Sequence, residues 1–258
     1  MQTAYFDHPG PIAMAHRGFS LEGLENSMVA FEAAVELGYR YVETDTHSTR
    51  DGVALAVHDP SLDRITDSVG VIADLPWSMV SKSRILGREP IPRLDELLHA
   101  WPDLRVNIDV KSDPAIGPTV AAIERAGAHG RVCIGSFSDR RRRAVLRRLS
   151  RPTATSAGQW AGASFRVASA APQQLGRRLV KVSLRGVDAL QLPVVRFGVP
   201  IVTQVSVDAA HAAGLPVHVW TVNDPRAMTT LLDLGVDGIV SDRADLLKEV
   251  IMARGQWS

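Results

Sequence analysis

Four short runs in this chain gather side chains suited to acid–base and anion chemistry: Ala15-His16-Arg17-Gly18, Val42-Glu43-Thr44-Asp45, Val57-His58-Asp59 and Asn107-Ile108-Asp109-Val110-Lys111. Residues two apart on an extended strand share a face, so Glu43 points with Asp45, and Asp109 with Lys111. If those faces look into one cleft, three carboxylates repel one another and are pushed towards the protonated form. A hard divalent cation, Mg2+ or Ca2+, removes that conflict because it takes oxygen ligands and neutralises them. Arg17 and Lys111 beside such an ion make a receptor for phosphate oxygens. His16 and His58 are of the residue type suited to general acid and base work at near-neutral pH. These parts predict metal-assisted hydrolysis of a phosphate ester.

Such side chains need a scaffold that brings strand ends together. Strands are expected at Pro11–His16, Tyr39–His47, Arg105–Lys111, Arg131–Ser136, Ala154–Gly158, Ala189–Val194, Pro216–Val222 and Gly238–Asp242. Helical patterns are clearest at Leu24–Leu37, Pro114–Gly127, Asp139–Leu149, Pro225–Leu234 and Arg243–Arg254. Parallel strands need crossovers, usually helical, so this alternation predicts a parallel sheet. Eight units in 258 residues suit a TIM (β/α)8 barrel, in which functional groups lie at the carboxyl ends of the strands. Strands seven and eight end in Trp220-Thr221-Val222-Asn223 and Ser241-Asp242. The segment Gly52–Leu98 is too long for a simple crossover and reads as an insertion over one mouth of the barrel. It holds a short strand at Val53–Val57, a polar stretch with Asp63, Thr66, Asp67 and Gly70, and a helix from about Leu94. No linker or composition break divides the chain, so residues 1–258 read as a single domain.

Composition excludes several classes. With 45% hydrophobic and 22% charged residues the chain is globular rather than disordered or fibrous. No apolar run approaches the length of a membrane span, and the start of the chain shows no secretory pattern, so a cytoplasmic enzyme is expected. Cys133 is the single cysteine, which leaves no intramolecular disulfide and no cysteine-based zinc site. A net charge of +1 gives no global pull towards nucleic acid.

Other residues carry plainer readings. His47 shares the face of Glu43 and Asp45 and reads as a supporting or loop residue, and His218 as a packed residue of the barrel interior. Asn26 and Ser27 either open a helix as caps or support the site from beneath. Asp224-Pro225 reads as an N-cap followed by a first helical residue. Trp220 is either core or substrate contact. Arg140–Arg143, with Arg147, Arg148 and Arg151, forms the one basic cluster; it reads as a solvated helix face, with weak peripheral membrane contact as the alternative.

The ordered set His16-Arg17-Gly18, Glu25-Asn26-Ser27, Glu43-x-Asp45, Asp51-Gly52, His58-Asp59, Trp220-Thr221-Val222-Asn223 and Gly235-Val236-Asp237-Gly238-Ile239-Val240-Ser241-Asp242 resembles the glycerophosphodiester phosphodiesterase family. The resemblance runs from about Ile12 to Leu247. It implies a TIM barrel with an insertion after the second strand, and release of sn-glycerol 3-phosphate and an alcohol from a small glycerophosphodiester. It implies His16 and His58 as acid and base, Glu43 and Asp45 as metal ligands, Arg17 and Lys111 as phosphate contacts, and Trp220 as an aromatic flanking the substrate. The family's third ligand is usually a glutamate; Asp109 stands there, one methylene shorter, which bears on metal choice and affinity. Attack by water and attack by the glycerol 2-hydroxyl, through a cyclic phosphate, both stay open. Two rivals are a lysophospholipase D-type enzyme, which an apolar wall of Ile65, Val69, Val71, Ile72, Leu75 and Trp77 would favour, and a non-catalytic barrel binding phosphate or membrane through the arginines.

Overall fold

A computed structural model describes residues 4–157, 184 and 186–257. Eight parallel strands, β1 (Ile12–His16), β2 (Tyr41–Ser48), β3 (Arg105–Val110), β4 (Val132–Gly135), β5 (Ala154–Thr155), β6 (Leu190–Pro193), β7 (Val217–Trp220) and β8 (Gly238–Ser241), pair in the order β5-β4-β3-β2-β1-β8-β7-β6. A parallel bridge between Ser156 and Ala189 joins the two ends of that path, so the sheet closes on itself. The chain is thus a TIM barrel, as its strand–helix alternation predicts. Helices α1 (Met28–Glu36), α2 (Leu94–Ala100), α3 (Ile116–Ala126), α4 (Asp139–Leu146), α5 (Gln204–Ala212), α6 (Pro225–Asp233) and α7 (Ala244–Ala253) are described with it.

The two faces of each strand are chemically different. Val42, Val106, Ile108, Ile134, Leu190, Val219 and Ile239 pack with Phe31, Leu97, Ile123, Val145, Leu231 and Leu247 of the helices in one large core. On the alternate face Ile12, Met14, Tyr41, Cys133, Ala154 and Val240 form a smaller core with Tyr5, which sits in a single turn of 3-10 helix at Ala4–Phe6. This alternation places Glu43 and Asp45 on the face of Tyr41, and His16 on that of Met14. His218, fully buried, lies on β7 with its ring centroid 5.9 Å from that of Phe6, in the interior as expected.

Element ends follow local chemistry. Asp224 caps α6 by accepting from Ala227 N at 2.8 Å, with Pro225 in the first turn. Gly127, at φ +58°, ends α3 in a conformation that favours glycine. The expected helix Leu24–Leu37 is shorter at its start, because Asn26 takes φ +59° and Ser27 caps Met28–Glu36 through Ala30 N. Helix α5 went unread among the clear helical patterns; its signal is the box in which Thr203 and Ser206 cap each other. The fifth strand is shorter than expected, and Gly158 at its expected end lies outside the described residues.

The insertion packs around a core of its own. Ala54–Ala56 runs antiparallel to Thr46–Ser48 at the end of β2. Leu55, Val57, Leu62, Ile65, Ile72, Val80, Ile85 and Ile91 are buried together, with Leu75 and Trp77 against them. The apolar residues that would have made a wall for a lipid are therefore mostly consumed inside the insertion, and only Val69 and Val71 of that group are exposed.

The arginine cluster is also not a uniform solvated face. Arg142 is buried and donates to Thr155 Oγ1 at 3.1 Å and Gly186 O at 3.2 Å, while pairing with Asp139. Arg141 reaches Asp113 at 3.0 Å and Val110 O at 3.1 Å, and Arg140 pairs with Asp113 too. Helix α4 spends these cations on the strand ends beside it. Among the described residues no helix is long and apolar enough to cross a membrane.

Candidate active site

The turn after β1 is tightly constrained backbone at the mouth. Arg17 N donates to Glu43 O at 2.9 Å, extending the β1–β2 ladder, and Arg17 itself takes φ +56°. Gly18 follows at φ +81°, and a Cβ there would lie 2.6 Å from the carbonyl carbon of Ala30 in α1. Only glycine lets the chain pass this close to the helix. Asn26 is buried beneath the turn, accepting from Thr44 Oγ1 at 2.7 Å and donating through Nδ2 to Asp45 Oδ2 at 3.4 Å. Ser27 takes the capping role and Asn26 the supporting one.

β2 and β3 are in register with Asp45 opposite Asp109, which sets their carboxylates side by side. Lys111 Nζ joins them, 2.8 Å from Asp45 Oδ1 and 2.7 Å from Asp109 Oδ2. Arg17 Nε lies 2.9 Å from Asp45 Oδ2. Glu43 Oε2 and Asp109 Oδ1 are buried and have no hydrogen-bond partner. Among the described residues, no three or more His, Cys, Asp or Glu side chains form a cage ready for an ion.

These contacts order the charges. Burial, reinforced by the negative charge of Asp45, pushes the Glu43 carboxyl up to about 8. Burial would also raise Asp45, but Lys111 and Arg17 outweigh it and hold Asp45 below its ordinary value. Asp109 is raised by burial against the opposing charge of Lys111. Lys111, though partly desolvated, is raised by Asp109 and Asp45 and stays charged.

Both histidines are held by their Nδ1 atoms. His16 Nδ1 lies 2.5 Å from Asp242 Oδ1, and the other oxygen of Asp242 accepts from Asn223 Nδ2 at 2.8 Å. His16 Nε2 is 3.6 Å from Glu43 Oε2. Burial lowers His16, but the Glu43 charge and the Asp242 hydrogen bond prevail, so its pKa is raised. His58 Nδ1 lies 2.6 Å from Asp59 Oδ1. His58 is brought to β2 by the bond from Val57 N to Asp45 O, and His47 Nε2 donates to His58 O at 3.1 Å. His47 is thus a supporting residue. Trp220, at the end of β7, meets Phe137 edge-on at 5.7 Å, and Lys111 Nζ lies 5.5 Å from the Phe137 ring centre.

The fold therefore brings His16, Arg17, Glu43, Asp45, His58, Asp109 and Lys111 to one mouth, with Trp220 beside Lys111 through Phe137. Sequence reading passed over Asn223, Asp242, Phe137, Glu25 and Arg64 as site residues. The strand-end rule flags Asn223 and Asp242; no spacing rule flags Arg64.

Comparison with known proteins identifies the family and supports the fold. The model of the glycerophosphoryl diester phosphodiesterase family matches residues 16–246. The chain is 50% identical over 255 residues to the Mycobacterium tuberculosis protein named "Probable glycerophosphodiester phosphodiesterase 2", covering 98% of this chain and 95% of that one. The structure of an Oleispira antarctica phosphodiesterase in complex with the product sn-glycerol-3-phosphate matches with a TM-score of 0.75 at 22% identity, over 94% of this chain and 97% of that one. A glycerophosphodiester phosphodiesterase structure from Agrobacterium tumefaciens matches with a TM-score of 0.74 at 22% identity, over 94% and 99% of the two chains. On the family match and the near-full-length relative, this chain belongs to the glycerophosphoryl diester phosphodiesterase family and is a phosphodiester hydrolase.

Proposed function

We propose that the enzyme hydrolyses small glycerophosphodiesters to sn-glycerol 3-phosphate and an alcohol, with His16 and His58 as acid and base. The observation that carries this reading is the pair of imidazoles at one mouth, each held at Nδ1 by a carboxylate, around the Arg17–Asp45–Lys111 cluster. The family membership supports the substrate class, as does the product held by the Oleispira antarctica relative.

With Nδ1 engaged, Nε2 is the ring atom left to exchange protons. One histidine accepts the proton of the nucleophile, and the other protonates the departing alcohol. Arg17 and Lys111 already lie together against Asp45, so a phosphodiester entering there meets two fixed cations. The nucleophile is water or the glycerol 2-hydroxyl; a cyclic phosphate as first product in 18O-labelled water excludes direct attack by water.

Glu43, Asp45 and Asp109 fit a hard divalent cation, because two buried oxygens among them lack any donor and a lone ionised Glu43 is costly there. Those three carboxylates would hold Mg2+ or Ca2+, which would supply Lewis-acid help to a bound phosphodiester.

The test is release of sn-glycerol 3-phosphate from glycerophosphocholine and glycerophosphoethanolamine by wild type, His16→Ala and His58→Ala, with Mg2+, Ca2+ or EDTA. Turnover that both substitutions and EDTA abolish supports the reading; turnover that survives His16→Ala and His58→Ala overturns it.

One observation favours a lysophospholipid as a second substrate. A hairpin of Val195–Arg196 and Val199–Pro200 follows β6 directly, on the mouth side, and its turn residue Phe197 is 92% exposed. Lysophosphatidylcholine turnover that Phe197→Ser reduces, while glycerophosphocholine turnover holds, supports this second reading. Absence of lysolipid turnover in wild type ends it.

A further inference from the structure

Arg64 belongs to the insertion, not to the barrel. Its neighbours Leu62 and Ile65 are buried in the insertion core, and Thr66 N returns to Leu62 O at 3.1 Å, so the backbone around it is fixed. Its side chain is half exposed and its guanidinium is shared between two carboxylates. Nε pairs with Asp59 Oδ2, Nη2 donates to Glu25 Oε1 at 2.6 Å, and Nη1 to Glu25 Oε2 at 3.4 Å.

Each of those carboxylates continues to a group placed above in the site. Asp59 offers its other oxygen to His58 Nδ1 at 2.6 Å. Glu25 Oε1 also accepts from Arg17 Nη1 at 3.0 Å, and Arg17 Nε lies 2.9 Å from Asp45. One guanidinium thus links the acid–base histidine of the insertion side to the phosphate-binding arginine of the barrel. Asp59 is held down at about 2, first by its hydrogen bond from Arg64, so it stays ionised as an acceptor.

We propose that Arg64 is a positioning residue: its guanidinium, gripping Asp59 and Glu25 together, sets the spacing and orientation of His58 relative to Arg17. This rests on the functional reading above and adds to it a residue that does not touch the reacting atoms. A planar fork with several donors in fixed directions can span two carboxylates; an ammonium is a single point of charge and cannot orient both. Without the fork, Asp59 and Glu25 keep His58 and Arg17 as partners but lose their alignment to each other. The loss then falls on the chemical step, because small misplacements of reacting groups are costly.

The experiment is steady-state kinetics with glycerophosphocholine for wild type, Arg64→Ala, Arg64→Lys, Asp59→Asn and the Arg64→Ala/Asp59→Asn double variant, with thermal melts of each. Arg64→Ala is expected to lower kcat about 10–100-fold, as loss of an orienting partner does, with KM within about threefold. Arg64→Lys recovers part of the loss. The double variant falls little below the worse single variant, because both act through the same His58. A kcat within about twofold of wild type in Arg64→Ala overturns the proposal. So does a rise in KM alone, which makes Arg64 a substrate contact, or full additivity with Asp59→Asn, or loss in step with a lowered Tm that Arg64→Lys does not relieve. Wild type that releases no sn-glycerol 3-phosphate overturns the functional reading, and this inference with it; active wild type with an indifferent Arg64 overturns this inference alone.

Discussion

His16 and Asp242 stand 226 residues apart in sequence and meet at 2.5 Å, where the first and last strands of the barrel pair. Asn223 fixes the far oxygen of Asp242 and also accepts from Asp242 N at 2.9 Å, so the carboxylate has little freedom to turn away. Asp242→Asn keeps the shape but removes the acceptor charge that holds the ring. It is expected to lower kcat about 10–100-fold with KM nearly unchanged. Initial rates on glycerophosphocholine check this; full activity in the variant would show that His16 needs no such partner.

Glu43, a proposed ligand of the ion, carries a pH dependence of its own. Its folded pKa, raised to about 8 by burial, means the folded state holds a proton that the unfolded chain has lost above the ordinary carboxylate range. That contribution is complete below the ordinary value and fades as pH rises towards 8. Without divalent ions, Glu43→Gln is therefore expected to melt higher than wild type at pH 8. Mg2+ or Ca2+ at a hundredfold excess over Kd should raise the wild-type Tm by roughly 5 °C or more and leave the variant unmoved. Equal shifts in both proteins would remove Glu43 from the ligand set.

Gly18→Ala places a methyl group 2.6 Å from the Ala30 backbone at a φ of +81°, where neither helix nor turn has slack. The expected cost is about 2–4 kcal/mol, read from urea denaturation. Activity should drop as well, because Arg17 precedes the strained turn. A midpoint equal to wild type would show that the turn can shift without loss.

His218 gives the opposite pH sign from Glu43. Burial lowers its ring to about 4, so the folded state keeps it neutral while the unfolded chain gains a proton below its ordinary value. Stability is whole above that ordinary value and is lost as pH falls towards 4, by on the order of 3 kcal/mol. His218→Asn should flatten the dependence of the urea midpoint between about pH 7 and pH 4.5. Parallel curves for the two proteins would rule His218 out as its source.

The barrel, its insertion and the gathering of most candidate residues at one mouth were legible in the sequence because they are written in local periods. Alternation by two places Glu43 with Asp45 and Asp109 with Lys111, whatever the rest of the chain does. Caps such as Asp224 and Gly127 act within a turn. The start of α1 was misread because Asn26 leaves the helix to support Asp45, a contact 19 residues away that no helical period encodes. The arginines of α4 look alike in sequence, yet Arg142 is buried and Arg140 exposed, since only packing against β5 separates them. Closure of the barrel and docking of the insertion decided the rest: that Asp242 meets His16, that Lys111 bridges Asp45 and Asp109, and that Arg64 ties Asp59 to Glu25. Periodicity determines which face a side chain takes, whereas the distance between faces of remote strands is set by the closed sheet.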